Sequence, residues 1–340
     1  MDDFQLSDGM RDELRAAWHR YLDRVAPFRP LLHGYCRKLA RDVWDAEDLS
    51  QETLMRGFQR LAWHHDPIDD PRAYLLRIAT HAWIDQLRRR DTEARLAPEA
   101  GPEAVPPPPA AGEAHDASRR LLERLAPREQ AAVVLKDLFD LSLEETAVVL
   151  ETTVGAVKSA LHRGRERLRD PGETGGALAA SGRPVPTVAV VDRFVELLNA
   201  EDRDGLLGLI HENAGISNVG VGMQYGDESL RGKRSFLRGL LSGHPEWPEA
   251  FRFESRRWER VVFEGEPVVL GFCTRERWGG EALEGVFRVR EEDGSILRIL
   301  SYSFCPETMR EVAERLDLPV RTGLYCYPTV EPGVPFGWDA

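Results

Sequence analysis

The side chains with the most chemistry to offer lie together on one amphipathic stretch, Val154–Arg169. At 100° per residue Val154, Val157, Leu161 and Leu168 point to one side, and Ser159 and Arg163 to the other. His162 and Glu166 lie beside that polar pair, with Lys158 and Arg167 on the flanks. Hydroxyl, imidazole and guanidinium groups on one face, bordered by cations, suit hydrogen bonding to base edges and charge pairing with phosphates. A second cationic run, Arg88-Arg89-Arg90, offers phosphate contacts, and an acidic run lies upstream at Asp45, Glu47, Asp48 and Glu52, with Gln51 among them. His64, His65, Asp66, Asp69 and Asp70 carry metal-ligating groups, but polar residues are the ordinary content of a helix-exit loop, and no metal is expected there.

Local signals supply the elements that must hold these groups. Helices are expected over Pro127–Asp137, Leu143–Leu150 and Val154–Arg169, with the spacing of a helix-turn-helix. Ser142 is an N-cap for the short middle helix, and Glu145, three residues on, completes a capping box. Upstream, Leu31, Leu32, Tyr35 and Leu39 form one apolar helix stripe. A second helix is expected to start between Asp45 and Asp48 and bury Leu49, Leu54 and Phe58. A third, Arg72–Arg90, is expected to turn Leu75, Ile78, Ala82, Ile84 and Leu87 inward.

Two stretches read as joints. Residues 91–117 are rich in Pro, Ala and acids, with Pro106 to Pro109 consecutive, and 170–187 are rich in Gly, Ala and Pro; neither composition builds a core. The expected division is therefore 1–90, linker 91–117, 118–169, linker 170–187, an α+β domain over 188–305, and a helix and tail over 306–340. In 188–305 helices are expected over Val188–Leu198, Asp204–His211 and Lys233–Leu241. Strands follow over Phe251–Phe263, Val268–Trp278, Leu283–Arg290 and Ile296–Phe304, joined by hairpin turns at Glu264–Pro267, Gly279-Gly280 and Asp293–Ser295.

The net charge of −12 argues against a dedicated nucleic-acid binder, yet the cations are segregated. A local basic face on an acidic chain fits a protein that meets DNA with a partner or when switched on. Cys36, Cys273, Cys305 and Cys326 show no metal or C-x-x-C spacing, and read as packing residues of a reduced, cytoplasmic protein. The acidic start lacks the basic and apolar regions of a secretory signal, and no apolar run has membrane-spanning length.

Over about 25–90 and 118–169 these residues resemble the extracytoplasmic-function sigma factors of bacterial RNA polymerase. The segment DAEDLSQETL (45–54) is similar to the family's clamp-docking segment. LLRIATHAWIDQLRRR (75–90) is similar to the helix that meets the melted −10 element, and VGAVKSALHRGRERL (154–168) to the −35 recognition helix. The resemblance implies two all-α domains, a region 2 helical bundle and a region 4 helix-turn-helix, followed by a cone-shaped, SnoaL-like α+β domain.

It further implies docking of Asp45, Glu47, Asp48, Gln51 and Glu52 on the β′ clamp helices of core polymerase, with region 4 on the β flap. Contact with the −10 element falls to His64, Asp66, Tyr74, Arg77, His81, Trp83, Arg88, Arg89 and Arg90, and with the −35 element to Lys158, Ser159, His162, Arg163 and Arg167. Trp63, Tyr74 and Trp83 are the aromatic candidates for base stacking. His81 stands where the family often has Asn, and Ala160 where many members carry Arg, so altered promoter choice is expected.

No catalytic group, cofactor or membrane is implied; the partners are core polymerase and promoter DNA, with an intramolecular contact from the C-terminal domain. Asn218, Tyr225, His244, Arg275, Glu276, Trp278 and Tyr302 are candidates to line the cone, where a small ligand stays open. Two other readings stay open too: a helix-turn-helix regulator with a ligand-sensing C-terminal domain, and a SnoaL-like enzyme fused to a DNA-binding part. Residues 45–90 speak against the first, which has no need of them. No spacing demands a catalytic acid–base pair for the second.

Overall fold

A computed structural model of the chain describes residues 8–40, 42–63, 68–96, 121–122, 124–169, 184–220, 223–225, 241, 255–275 and 280–322. The chain divides into two compact units, one holding both helical regions (1–106 and 112–180) and one holding 181–340 together with 107–111.

In the first unit, α1 (Asp8–Val25), α2 (Arg29–Leu39), α3 (Val43–Trp63) and α4 (Pro71–Leu96) form a helical bundle. α3 starts before the expected Asp45 because Asp42 Oδ1 accepts the Asp45 N–H at 2.6 Å and so caps the helix two residues earlier. Asp70 Oδ1 likewise accepts the Ala73 N–H at 3.0 Å and caps α4, with Pro71 entering the helix behind it; His64, His65 and Asp66 lie outside the described residues. α4 crosses the expected boundary at Arg90 and runs to Leu96. Its added turn includes Thr92, whose hydroxyl donates to Arg88 O at 2.9 Å. The remainder of the expected 91–117 linker lies outside the described residues apart from these first six.

Region 4 comprises α5 (Pro127–Val133), a wider π turn (Val134–Leu138), α6 (Leu143–Val149) and α7 (Val154–Arg169). The capping box is present, with Glu145 N–H donating to Ser142 Oγ at 3.0 Å and Ser142 N–H to Glu145 Oε2 at 2.7 Å. These bonds from Ser142 hold the Glu145 carboxyl below its usual range. One continuous apolar core runs from Leu22, Leu32, Leu49 and Leu75 through to Leu135, Val149 and Leu161. The two all-α regions therefore share a core instead of standing as separate globules. Tyr35 is fully buried in it, its hydroxyl 2.8 Å from Thr80 Oγ1. Beside it, burial pushes the Cys36 thiol up to about 12, as befits a packing residue.

The second unit is α+β. Helices α8 (Val188–Asn199), α9 (Arg203–Leu209) and α10 (Pro306–Arg315) accompany a six-stranded sheet. Its strands are β1 (Ile210–Asn218), β2 (Met223–Tyr225), β3 (Ser255–Phe263), β4 (Glu266–Arg275), β5 (Gly280–Glu292) and β6 (Ser295–Ser301), in the order β2-β1-β6-β5-β4-β3. In the β3–β6 meander Glu264-Gly265 and Asp293-Gly294 take the expected turns and all have positive φ, as two-residue hairpin turns require, whereas the expected Gly279-Gly280 turn lies outside the described residues except for Gly280, which opens β5. β1 and β2 were not expected, and β1 pairs parallel with β6. The helix expected over Asp204–His211 stops at Leu209, because His211 already belongs to β1. The expected Lys233–Leu241 helix lies outside the described residues except for Leu241.

α8 is tied to the sheet by Asn199, whose amide donates to Trp258 O and accepts from Trp258 N–H, both at 2.9 Å. Deeper in, Arg288 forks onto Glu266 (Nε–Oε1 2.8 Å, Nη2–Oε2 2.7 Å) and donates through Nη1 to Tyr302 Oη at 3.0 Å. Burial opposes that charge, but Tyr302 and Glu266 outweigh it and hold the guanidinium above its ordinary value. Removing one partner of a buried pair strands the other. Glu266→Ala is therefore expected to lower the stability of this unit by about 3–5 kcal/mol, read as its denaturant midpoint; a change under about 1 kcal/mol would show the pair to be unimportant.

Candidate nucleic-acid interface

α7 buries Val157, Ala160, Leu161 and Gly164. Ala160, 7% exposed, therefore belongs to the core face, and the expected loss of a DNA-contacting cation there does not apply. Lys158, Ser159, His162, Arg163 and Arg167 are all exposed, as the sequence pattern expects. Their company differs from that expectation. Arg163 Nε donates to Glu129 Oε1 at 2.9 Å, and Arg167 donates to the other oxygen of the same carboxylate. The outermost line is thus Ser159, His162 and Glu166, with His162 Nδ1 3.3 Å from Glu166 Oε2. On the opposite flank Lys136, Lys158, Arg165 and Arg169 border a groove of about 440 Å³ beside Leu143. Arg165 Nε donates to Asp137 Oδ2 at 3.1 Å there.

In region 2 the expected docking acids and the expected phosphate-binding arginines neutralise one another across α3 and α4. Arg90 Nη2 lies 3.1 Å from Asp45 Oδ1, and Arg89 Nη2 3.7 Å from Glu52 Oε1. Gln86 and Arg56 also donate to Glu52. Glu47 is buried at 1% exposure, near Arg29 and His33 and accepting from Gln51. Asp45 is buried too, so both are framework acids and not surface acids; Asp48 alone of the acids expected to dock is fully on the surface. Sequence spacing conceals this, because the partners lie about 40 residues apart and meet only once the helices pack.

The expected −10 residues divide in the same way. Trp83 is 5% exposed and packs in the core, which removes it as a stacking surface. Tyr74 is half-buried, its hydroxyl donating to Gly57 O at 3.0 Å. His64 and Asp66 lie outside the described residues, whereas Arg88 and Arg89 are exposed. Trp63, 83% exposed, instead flanks a groove of about 600 Å³ formed with Arg56, Gln59, Arg60, Ile78 and His81. An aromatic face among cations is the usual platform for unstacked bases. Trp63 is a stacking candidate in the sequence, and the helical spacing of Arg56, Gln59 and Arg60 with it along α3 is the readable signal that the sequence-based expectation lacks.

Region 4 covers part of this surface. Glu151, in the α6–α7 turn at φ 47°, reaches Arg77 Nη1 (3.7 Å) and His81 Nε2 (3.5 Å) on α4. Arg72 donates to Phe139 O at 3.4 Å, Gln130 to Lys38 O at 3.3 Å, and the Phe139 ring meets Tyr35 edge-on at 5.7 Å.

A four-helix region joined to a helix-turn-helix, with cations and an exposed aromatic on the first and a polar recognition helix on the second, defines a promoter-reading protein of the sigma-70 kind. Sigma-70 region 2 matches residues 25–93 and Sigma-70, region 4 matches residues 115–168. The ECF RNA polymerase sigma factor SigJ of Mycobacterium tuberculosis is 33% identical over 228 residues, covering 63% of this chain and 70% of that protein. SigE of Mycolicibacterium smegmatis, also named an ECF RNA polymerase sigma factor, is 38% identical over 143 residues, 39% of this chain and 54% of that protein. The solved structure of the M. tuberculosis SigJ gives a TM-score of 0.30 at 22% identity, over 82% of this chain and 95% of that one, too loose a likeness to place any element.

The chain belongs to the extracytoplasmic-function RNA polymerase sigma factors, which direct promoter-specific transcription. The SigJ sequence likeness covers more of the chain than residues 1–168 contain, so it continues beyond region 4.

The ion pairs around Glu151 are largely exposed and worth about 0–1 kcal/mol each, so closure of the two regions rests mainly on their shared apolar core, to which Phe139 contributes. Phe139→Ala is expected to favour separation of regions 2 and 4 by about 1–2 kcal/mol. An energy-transfer pair on α4 and α7 would report longer distances; an unchanged distribution would show that Phe139 does not hold them.

Proposed function

We propose that this sigma factor docks on core polymerase through the α3 surface around Asp48, stacks an unpaired −10 base near Trp63, and reads the −35 element with α7. The single observation that carries the reading is the pairing of two DNA-type surfaces on one unit: the Trp63 groove with its cations, and the outward line Ser159, His162 and Glu166. Arg77, His81, Arg88 and Arg89 supply contacts on the first surface, and Lys158, Arg163 and Arg167 on the second. Acids that are ion-paired internally, Asp45 and Glu52, contribute by orienting arginines and not by docking. The β′ clamp helices and the β flap are the proposed polymerase surfaces, and the cytoplasm the proposed compartment; among the described residues no helix is long and apolar enough to cross a membrane.

The α+β unit is proposed to be a SnoaL-like regulator of the sigma regions rather than an enzyme. A specific observation also favours a polar guest at its inner sheet face. Among the described residues Asn218, buried and in register with Ser301, leaves both amide atoms without a hydrogen-bond partner. Unsatisfied groups of this kind are costly, at about 1–3 kcal/mol each, and call for a partner.

Two measurements test these assignments. In transcription with purified core polymerase, both the full chain and a 1–170 truncation are expected to initiate at promoters of the same genome, and their ratio gives the sign of control by the α+β unit. Failure of both forms to bind core removes the docking and promoter assignments together. Asp48→Lys is expected to weaken core binding about tenfold while leaving the helical fold intact; wild-type affinity in that variant would move the docking surface elsewhere on region 2.

A further inference from the structure

Glu129 is a carboxylate on α5, 4% exposed, that faces the recognition helix rather than solvent. Its Oε2 accepts the Ala126 N–H at 3.3 Å, closing the first turn of α5. The same carboxylate accepts from Arg163 Nε at 2.9 Å and from Arg167. Gly164 lies between these two arginines, and a Cβ there would come within 3.0 Å of Val133 Cγ2 and 3.6 Å of Glu129 Cβ. The glycine thus lets α7 approach α5 closely enough for one acid to serve both cations.

The geometry leaves the arginines held yet not hidden, since their side chains remain 57% and 51% exposed. Arg163 is held through Nε, so its two terminal nitrogens stay outside the pair as a planar fork. A free arginine side chain surrenders about 2 kcal/mol of rotamer entropy when it is fixed on a partner. One already fixed by a shielded acid surrenders less, and it presents its fork in one direction, as bidentate base recognition demands.

We infer that Glu129 is a positioning residue for −35 recognition, converting Arg163 from a general phosphate-binding cation into a directional reader. This rests on the reading of α7 as the −35 helix. Glu129→Gln keeps the shape and the cap while removing the charge that holds the arginines.

The test uses the full chain assembled with core polymerase and a pool of promoter duplexes randomised over the six −35 positions. Wild type is expected to select a preferred hexamer. In Glu129→Gln the preference for it over scrambled duplexes is expected to fall about tenfold. Affinity for scrambled duplexes should hold or rise, with log K falling more steeply against log[salt] by up to about 0.9 per arginine released to phosphate. Arg163→Lys, a change on an exposed side chain that keeps the charge and loses the fork, should erase preference at the same positions.

An unchanged preference profile in Glu129→Gln, with Arg163→Lys still losing it, would overturn the inference. So would an equal fall on every duplex, which marks general damage to region 4. If wild type itself shows no preference over the −35 positions, it is the assignment of α7 that fails, and the role of Glu129 with it.

Discussion

The constraint on which the rest depends is the shared core of regions 2 and 4. Tyr35, Thr80 and Cys36 of the first region and Phe139, Leu135 and Val149 of the second belong to one apolar body, so the regions cannot part without exposing it. The −10 and −35 elements lie about 25 base pairs apart, about 85 Å of duplex at 3.4 Å per step. If α4 meets the −10 element and α7 the −35 element, as proposed, contacts of 3.5–3.7 Å between Glu151 and the α4 face do not persist while both are read. Promoter reading is therefore linked to an opening equilibrium, and any partner that binds only the open form shifts it by its difference in affinity for the two forms. Core polymerase is the proposed partner of this kind.

The charge pattern follows the same logic. In a chain of net charge −12 several of the cations proposed to face DNA are paired, Arg89 with Glu52, Arg90 with Asp45, and Arg163 and Arg167 with Glu129, as is Arg165 with Asp137. Exposed pairs of this kind are worth little and are screened by salt, so a phosphate displaces the acid at small cost. Pairs built on a buried acid behave differently. Asp45 and Glu129 cannot turn to water, so they retain their arginines and fix where those cations sit. The distinction separates cations that simply attract the duplex from cations that orient it.

Much of this was legible in the sequence, for identifiable reasons. The capping box Ser142/Glu145, the stripe Val157/Leu161 and the hairpin turns at Glu264-Gly265 and Asp293-Gly294 are local signals, and local signals survive in a single sequence. What was missed is long-range. Trp83 and Ala160 look exposed in a motif but are buried by neighbours distant in the chain. Asp45 and Glu47 look like a solvent-facing acidic run until α4 and α2 pack against them. β1 was hidden because its stretch Ile210–Asn218 has a broken alternation, with Ala214, Gly215 and Ile216 buried in succession beside β6. The π turn after Val133 escaped notice because nothing in its composition differs from that of a helix.

A regulator fused to its target acts under different arithmetic from a separate one. On the proposed reading the contact between the two units is intramolecular, so even a weak one is populated and is not diluted away. Holding a two-state unit at 99:1 requires only about 2.7 kcal/mol, less than a single well-packed aromatic residue can supply. If the α+β unit holds the sigma regions as proposed, release comes from something that discriminates between the two states: polymerase, or a guest at the sheet face near Asn218. The buried Arg288–Glu266–Tyr302 network bears on the second route, because a fully satisfied polar network resists rearrangement while an unsatisfied amide invites it.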